Sequence, residues 1–485
     1  MENLVGADPR RWKALGVLCL VQFMLILDMT VVNVALPHIQ RDLGFTNSDL
    51  AWVVNGYVLM AGGFLLLGGR LADIVGRRRL FMMGTAIFAV ASVTCGAAQE
   101  PWMLVASRFA QGLGEAAAAP ASLGLIALMF PDPSERIKAI GIWGGIAGLG
   151  GTSGTVISGF LTDFASWRWI FFINLPVAVF ALLVVPRLVS ESKMRRDDHQ
   201  PDYLGAVTGT GGLVSIVYGL LQAAEHPWGS ADVLVPLLGG VGLLATMIVI
   251  EARSPSPLIP LEFFRNRTRV TANLGTLVFS AAFFSYVFLL TLFEQKQLGW
   301  RPLESGLSYL PFGFAIGAGI GLGTVLMPKI GVKPLLGAGF FLNAFALYLT
   351  SHLEVDSQYV SGILPGMVIL GVGAGMCFPA LTNAALHEVT DQDSSLASGM
   401  QAAVQQIGGA LGLSTLVTLA LRHAASQMST GVDPHVAFTD GYTLAFQIGS
   451  GLFVVGGLLI ALLVEHVAAE PRNPMAEAEP ETETV

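Results

Sequence analysis

The sequence predicts an all-α integral membrane protein of fourteen helices, arranged as two six-helix bundles with a two-helix insert between them. Three observations carry that prediction. Of 485 residues, 53% are hydrophobic and only 12% charged, about half the charged share of ordinary globular domains. Apolar runs near the ~20 residues needed to cross a bilayer recur along the whole chain. Basic residues gather in alternate connecting segments, as they do on the cytoplasmic side of polytopic proteins. The net charge of −8 does not point to nucleic acid. Much of it comes from the tail, where Glu470, Glu477, Glu479, Glu481 and Glu483 meet a single Arg472.

The predicted spans are 14–36, 50–69, 80–98, 103–128, 138–161, 168–188, 203–222, 232–251, 270–292, 305–327, 334–351, 359–380, 396–420 and 442–465. Arg10-Arg-Trp-Lys13 followed by an apolar run mimics a signal peptide. That run is too long, contains Asp28 and lacks a small-residue cleavage site, so it is a retained first span. With the N-terminus inside, the inner segments hold Arg10, Arg11, Lys13, Arg70, Arg77, Arg78, Arg79, Arg136, Lys138, Arg265, Arg267, Lys329, Lys333 and others. The outer ones hold only Arg41, Arg168, Lys296, Arg301 and Arg422. This bias places both termini in the cytoplasm and requires an even span count; the excess of Arg over Lys, 20 to 6, points to a GC-rich bacterial genome and so to a bacterial inner membrane. The loop 381–395 has no basic residue and does not contribute. Cys19, Cys95 and Cys377 each lie inside an apolar run and read as small buried hydrophobes.

Two polar linkers bracket spans seven and eight, which carry no intramembrane charge: Ser190 to Pro201, and the Pro-rich Ser254 to Pro260. The basic Phe263-Phe-Arg-Asn-Arg-Thr-Arg269 stretch that follows is expected along the inner membrane surface. The expected domains are therefore an N-terminal bundle over 1–188, a linker with two accessory helices over 189–269, a C-terminal bundle over 270–465, and a disordered acidic cytoplasmic tail over 466–485. An internal repeat supports the division. Gly112-x-Gly114-x5-Pro120-Ala121 in span four matches Gly371-x-Gly373-x5-Pro379-Ala380 in span twelve, and each is fourth in its set of six. Small residues let helices approach closely and Pro kinks them. The chain has no Gly-x4-Gly-Lys-Ser/Thr run, which excludes an ATP motor within it.

Charged residues inside a membrane are costly and mark function. Asp28 lies within span one, roughly 13 Å from an outer end placed at Pro37, and Arg108 lies about 9 Å into span four from the same side. An acid and a base at comparable depth can pair. Arg108, Gln111 and Glu115 share one stripe of span four, expected to face a water-filled cavity. Glu115, deeper and without an obvious basic partner, could carry a proton near neutral pH. The plainer reading is a static ion pair that pins two helices. Between spans two and three, Gly69-Arg70-Leu-Ala-Asp73-Ile-Val-Gly76-Arg77-Arg78-Arg79 is a basic loop. Gly69 and Gly76 are expected to let the helix ends turn, and Asp73 to sit against a helix N-terminus.

This loop resembles the signature between the second and third helices of the major facilitator superfamily, with Ile74 where an Arg usually follows the Asp. Leu27-Asp28-x-Thr30-Val-Val-Asn33-Val-Ala35-Leu36-Pro37 is similar to the first-helix signature of that superfamily's fourteen-helix drug:proton antiporters, and Arg108-x-x-Gln111-Gly112-x-Gly114 to their fourth-helix motif. Ser166-Trp-Arg-Trp-Ile-Phe-Phe-Ile-Asn174-x-Pro176, Gln295-x-x-Leu298-Gly299-x-x-Pro302 and Ala397-Ser-Gly-Met to Gln406-Ile-Gly-Gly409 extend the likeness along nearly the whole chain. The antiporter motif of helix five departs: Gly150, Gly154 and Gly159 are kept, with Thr155 for Pro and Ser158 for Gly.

The resemblance implies a proton-coupled secondary transporter of the major facilitator fold, exporting amphipathic drugs or antibiotics from the cytoplasm by alternating access. Export of a native metabolite or lipid, or proton-coupled nutrient uptake, are the alternatives. Asp28, Glu115 and Arg108 are assigned to proton coupling; Asp28, Gln111, Glu115 and Asn33 to substrate binding. Gly69, Asp73, Gly76, Arg77, Gly150, Gly154 and Gly159 are assigned to conformational change. Trp52, Tyr57 and Phe283 could stack on substrate, or simply pack. No catalytic residue, metal or cofactor is expected, because most histidines, including His38, His199, His226 and His435, fall in loops. The expected partners are a small-molecule substrate, protons and the lipid bilayer, with a monomer as the simplest assembly.

Overall fold

The computed structural model describes residues 10–130, 132–191, 202–254, 257, 266–387 and 394–464. Helices account for almost all of them, as a bilayer demands, since only internally bonded backbone is stable in lipid. The first six spans are α1 (Arg11–Leu43), α2 (Trp52–Val75), α3 (Arg77–Gly96), α4 (Pro101–Met129), α5 (Pro133–Phe164), and the pair α6 (Trp169–Phe172) and α7 (Asn174–Leu188). The insert is α8 (Tyr203–Gln222) and α9 (Ala231–Arg253). The last six are α10 (Arg267–Leu292), α11 and α12 (Pro302–Ser308, Leu310–Ile330), α13 (Val332–Thr350), α14 (Leu364–Ala385), α15 (Ser394–Ser429) and α16 (Pro434–Leu463). Thirteen of these spans are long and apolar enough to cross a membrane, and the 32-residue α5 makes the fourteenth.

Two glycines make single-residue turns at equivalent places. Gly76, at φ +110°, is all that separates α2 from α3, and Gly331, at φ +84°, all that separates α12 from α13. Side chains with a Cβ rarely adopt that backbone. Gly69 does not turn: α2 continues through it to Val75, because the loop needs only one residue outside helical geometry. The repeat also holds in packing. Gly112 on α4 lies against Tyr57 and Ala61 of α2, and Gly114 against Gly84 and Phe88 of α3. Gly371 on α14 lies against Phe312 and Ala315 of α12, and Gly373 against Gly339 and Asn343 of α13.

Several helices outrun their apolar windows. α1 passes through Pro37 to Leu43, where Gly44 at φ +74° ends it. α16 starts at Pro434, eight residues before the apolar stretch, because the Asp433 carboxylate accepts the His435 amide and Pro suits the first helical position. The linker from Ser192, the basic segment around Phe263 and the tail from Glu465 lie outside the described residues.

At the end carrying Arg301, the two bundles are joined. Arg301 makes a two-point ion pair with Asp163 (2.9 and 3.2 Å), Gln295 donates to the Val34 carbonyl (2.7 Å), and Lys296 donates to Asn47 (3.0 Å). Gly159 of α5 faces the Pro302 carbonyl and Gly306 of α11 faces Thr155. Elsewhere α2 and α15 meet through Gly62 against Gln406 and Gly399 against Leu66. The insert covers this seam: Gly63 touches Thr210 of α8, Thr418 donates to the Leu220 carbonyl (2.7 Å), and Arg422 donates to those of Ala223 and His226.

Because α8 and α9 lie beside the seam rather than within either bundle, deleting residues 200–252 is expected to leave the second bundle's orientation unchanged. Cysteine labelling from either face of the membrane checks this. Lys329→Cys and Lys333→Cys are expected to react from the same face as Arg79→Cys, with and without the insert. Reaction from the opposite face in the intact protein contradicts the fourteen-span topology.

Candidate functional site

Asp28 sits near the middle of α1, seventeen residues from its start and fifteen from its end, so more than ~20 Å of helix lies on either side. The sequence estimate was shallower because it ended the helix at Pro37. The Asp28 carboxylate is fully buried, and its oxygens are fully engaged. Arg108 Nη1 donates to Oδ2 (2.5 Å), while Gln111 Nε2 and Asn174 Nδ2 donate to Oδ1 (3.1 and 2.7 Å). Helices α1, α4 and α7 thus converge on one charge.

The surrounding groups hold this arrangement in turn. Arg108 Nε donates to the Val53 carbonyl (2.8 Å), Nη1 also reaches Gln111 Oε1 (2.9 Å), and the guanidinium lies 4.2 Å from the Tyr57 ring. Asn174 donates to Ser92 (3.0 Å), which donates to the Phe171 carbonyl (2.8 Å), and the Cys95 thiol donates to Gln111. A buried ion pair persists when hydrogen bonds satisfy the remaining donors and acceptors, and here Gln111, Asn174 and the Val53 carbonyl supply them for Asp28 and for Arg108 Nε. Removing one partner leaves a bare charge in a dry interior. Replacing Asn174 with Ala, which removes a bond to a charged group, is expected to lower stability by about 2 kcal/mol. Thermal unfolding in detergent micelles measures it.

The structure joins Asp28, Arg108 and Gln111 but corrects their setting. Arg108 and Gln111 are as buried as Asp28. These two residues of the stripe therefore face the interior of the first bundle, not a water-filled cavity, because α2, α3 and α7 wrap around them. Glu115, one turn further along α4, is partly buried beside Tyr57, and its Oε2 finds no hydrogen-bond partner among the described residues. Asn33 stands apart on α1, with its amide 3.5 Å from the Thr30 carbonyl. Tyr57 and Phe283 are packing residues, Tyr57 against Arg108 and Phe283 within a cluster with Phe279, Phe312 and Phe378; Trp52 stacks on Phe109. Ser92 and Asn174 are the site residues that span hydropathy could not reveal.

The helix-five glycines lie on the other side of α1 from the ion pair. Gly150 faces Ile26 and Gly154 faces Thr30, two residues to either side of Asp28, and the Ser158 hydroxyl bonds the Val31 carbonyl. Gly159 lies against α11. At the basic loop, Arg77 donates to the Gly124 carbonyl (2.9 Å) and Arg78 to the Val189 carbonyl (3.0 Å), with Glu191 3.6 Å from Arg78 and Arg79. These bonds tie the loop to α4 and to the end of α7. The Asp73 side chain lies outside the described residues.

A profile of the Major Facilitator Superfamily matches residues 18–413. A puromycin resistance protein of Streptomyces alboniger is 36% identical over 476 residues, covering 97% of this chain and 94% of that protein. A cephamycin export protein of Amycolatopsis lactamdurans is 37% identical, covering 84% of each chain. A lincomycin resistance protein of Streptomyces lincolnensis is 34% identical, covering 96% of this chain and 94% of that one. Among solved structures, a bacterial homologue of the human lysosomal transporter Spinster, inward-facing and unoccupied, superposes with a TM-score of 0.68 at 16% identity, covering 94% and 97% of the two chains. The xylose transporter XylE in a partially occluded inward-open state gives 0.64 at 13%, covering 96% and 100%.

Proposed function

The chain belongs to the Major Facilitator Superfamily and is a multi-pass membrane transporter rather than an enzyme, and we propose that it exports antibiotic-like molecules from the cytoplasm in exchange for protons. The names of its relatives support the substrate class: proteins 34–37% identical to it are called puromycin resistance, cephamycin export and lincomycin resistance proteins.

The observation that carries the proton coupling is the fully buried Asp28 held by Arg108, Gln111 and Asn174. A carboxylate in that position is a charge whose environment must change when α1 moves, so its protonation and the helix movement are linked. Glu115 is the second carrier, beside Tyr57 and one turn along α4. With the basic loop at the cytoplasmic face of the bacterial inner membrane, the Arg301 end is external. It is closed here by the Arg301–Asp163 pair and the Gly159–α11 contact, the arrangement an exporter needs while it loads from the cytoplasm. The Gly150 and Gly154 contacts give α1 a smooth track against α5 for that movement.

Direction is tested with inverted membrane vesicles, whose interior corresponds to the cell exterior. With the interior acidified, radiolabelled puromycin, cephamycin and lincomycin are offered in turn. Export predicts accumulation of at least one inside the vesicles, abolished by collapsing the pH gradient. Gradient-driven uptake into right-side-out vesicles instead makes the protein an importer and contradicts the proposal.

A further inference from the structure

A second buried carboxylate lies in the other bundle. Glu294 is fully buried at the end of α10, in a π-helical turn over Phe293–Gln297, a local geometry that recurs at functional sites. No cation pairs with it among the described residues. Its carboxyl meets two hydroxyls of α11: Ser305 Oγ at 2.5 Å from Oε2, and Ser308 Oγ at 2.9 Å from Oε1. Ser308 Oγ is also 2.7 Å from the Ser305 carbonyl.

Counting protons decides the state of this group. Each hydroxyl has one to give. Were Glu294 ionised, Ser308 would have to choose between the carboxylate and the Ser305 carbonyl. The charge would then sit in the interior with neutral donors alone, which is costly. With a proton on Oε1 every contact is used once: Ser305 donates to Oε2, Oε1–H donates to Ser308 Oγ, and Ser308 donates to the Ser305 carbonyl. The titratable groups facing Glu294 are phenols, Tyr286 of α10, Tyr309 between α11 and α12, and Tyr359 before α14. Tyr309 bonds Thr291 and the Val287 carbonyl, and Tyr359 donates to the Ser308 carbonyl. From α16, His435 and Tyr442 address Gln297 instead. Among the described residues, none of these groups supplies a positive charge.

The short helix α11 has a second face. Its Gly306 packs on Thr155, Gly159 packs on its Pro302, and Arg301 at its start pairs with Asp163. The residues that hold Glu294 therefore belong to the segment that closes the Arg301 end.

We propose that Glu294 is a proton-binding latch: a proton on its carboxyl holds α11 on α10 and thereby keeps the external end closed, and losing that proton to external water frees α11 and opens it. The proton enters from external water as that end closes and returns there as it opens. An acidic exterior thus favours resetting to the cytoplasm-facing state. This rests on the alternating-access reading above but not on the identity of the exported compound.

The test needs no substrate. Spin labels are placed at Phe164→Cys on α5 and Val360→Cys on the opposite bundle, both exposed positions; the three native cysteines are buried. Double electron–electron resonance on the full chain in lipid nanodiscs reads the external gap against pH. The unmodified latch is expected to give a single short distance in acid and a longer one as pH rises. Glu294→Gln, whose amide can accept from Ser305 and donate to Ser308, is expected to stay short at every pH. Ser308→Ala removes the acceptor of the Glu294 proton and is expected to shift the opening midpoint down by roughly half to one pH unit. Infrared difference spectra should show a protonated-carboxyl band that Glu294→Gln abolishes. Opening of Glu294→Gln at the unmodified midpoint, with that band retained, overturns the latch. An intact latch response in a protein that never moves puromycin, cephamycin or lincomycin rejects the export reading and leaves the latch standing.

Discussion

Asp28→Asn is expected to destabilise the protein by about 3–5 kcal/mol, the range for removing one member of a buried pair and stranding the other. The stranded group is Arg108, as buried as its partner and 2.5 Å from the lost charge. Adding Arg108→Gln removes the uncompensated cation and is expected to recover most of that loss. The two effects are then non-additive, as they should be for residues in direct contact. Thermal unfolding of the two single variants and the double variant reads the coupling. Transport is expected to separate from stability: Asn cannot release a proton, so the refolded double variant loses accumulation against a gradient while still moving puromycin downhill. Full gradient-driven export by that variant would make the pair purely structural and leave Glu115 as the carrier.

The second large effect is steric. A Cβ on Gly159 would lie 2.6 Å from the Pro302 carbonyl oxygen and 2.9 Å from the Leu303 Cα, both backbone atoms that cannot rotate away. Gly159→Leu therefore cannot close α5 on α11 in the way seen here. Overpacking of this kind costs about 1–3 kcal/mol, all of it charged to the externally closed state. At 1.4 kcal/mol per factor of ten, accumulation of puromycin is expected to fall about tenfold or more. The distance between spin labels at Phe164→Cys and Val360→Cys, both exposed positions, should lengthen in parallel. Unchanged accumulation would mean that this contact does not close during transport. Gly151, on the same helix, has open space beside it, so Gly151→Ala serves as the control and should be nearly silent.

The fold was legible because lipid leaves a chain few options. Fourteen apolar stretches, a basic bias and a repeated Gly-x-Gly-x5-Pro were enough to name every span. In the structure α4 and α14 occupy equivalent places between their neighbours. Helix ends were legible only where capping residues intervene. Asp433 and Pro434 start α16 inside a polar stretch that hydropathy alone assigns to a loop, and Gly69, which looks like a turn residue, lies inside α2.

The site was legible in part. Asp28 and Arg108 stood out as charges in apolar runs, and the stripe spacing on α4 correctly linked Arg108 to Gln111. What the stripe cannot say is whether it faces water or protein, since that depends on which helices pack around it. Ser92 carries no charge and was silent, and Asn174 stood out only within the Ser166 to Pro176 likeness, although both complete the shell of Asp28. Glu294 was hidden for a different reason. An apolar window ends at Leu292, so the π-helical turn that carries Glu294 inward reads as the start of a loop.

In the proposed exchange, movement of drug and movement of protons are one event passing through Asp28. The most direct measurement is proton flux in inverted vesicles with an acidified interior, followed with a pH-sensitive dye while puromycin is added outside. Proton release from the interior is expected to begin with puromycin addition, to saturate with it, and to be absent from the Asp28→Asn, Arg108→Gln protein despite its restored folding. Puromycin accumulation with no accompanying proton release, or release that persists in the double variant, would contradict it.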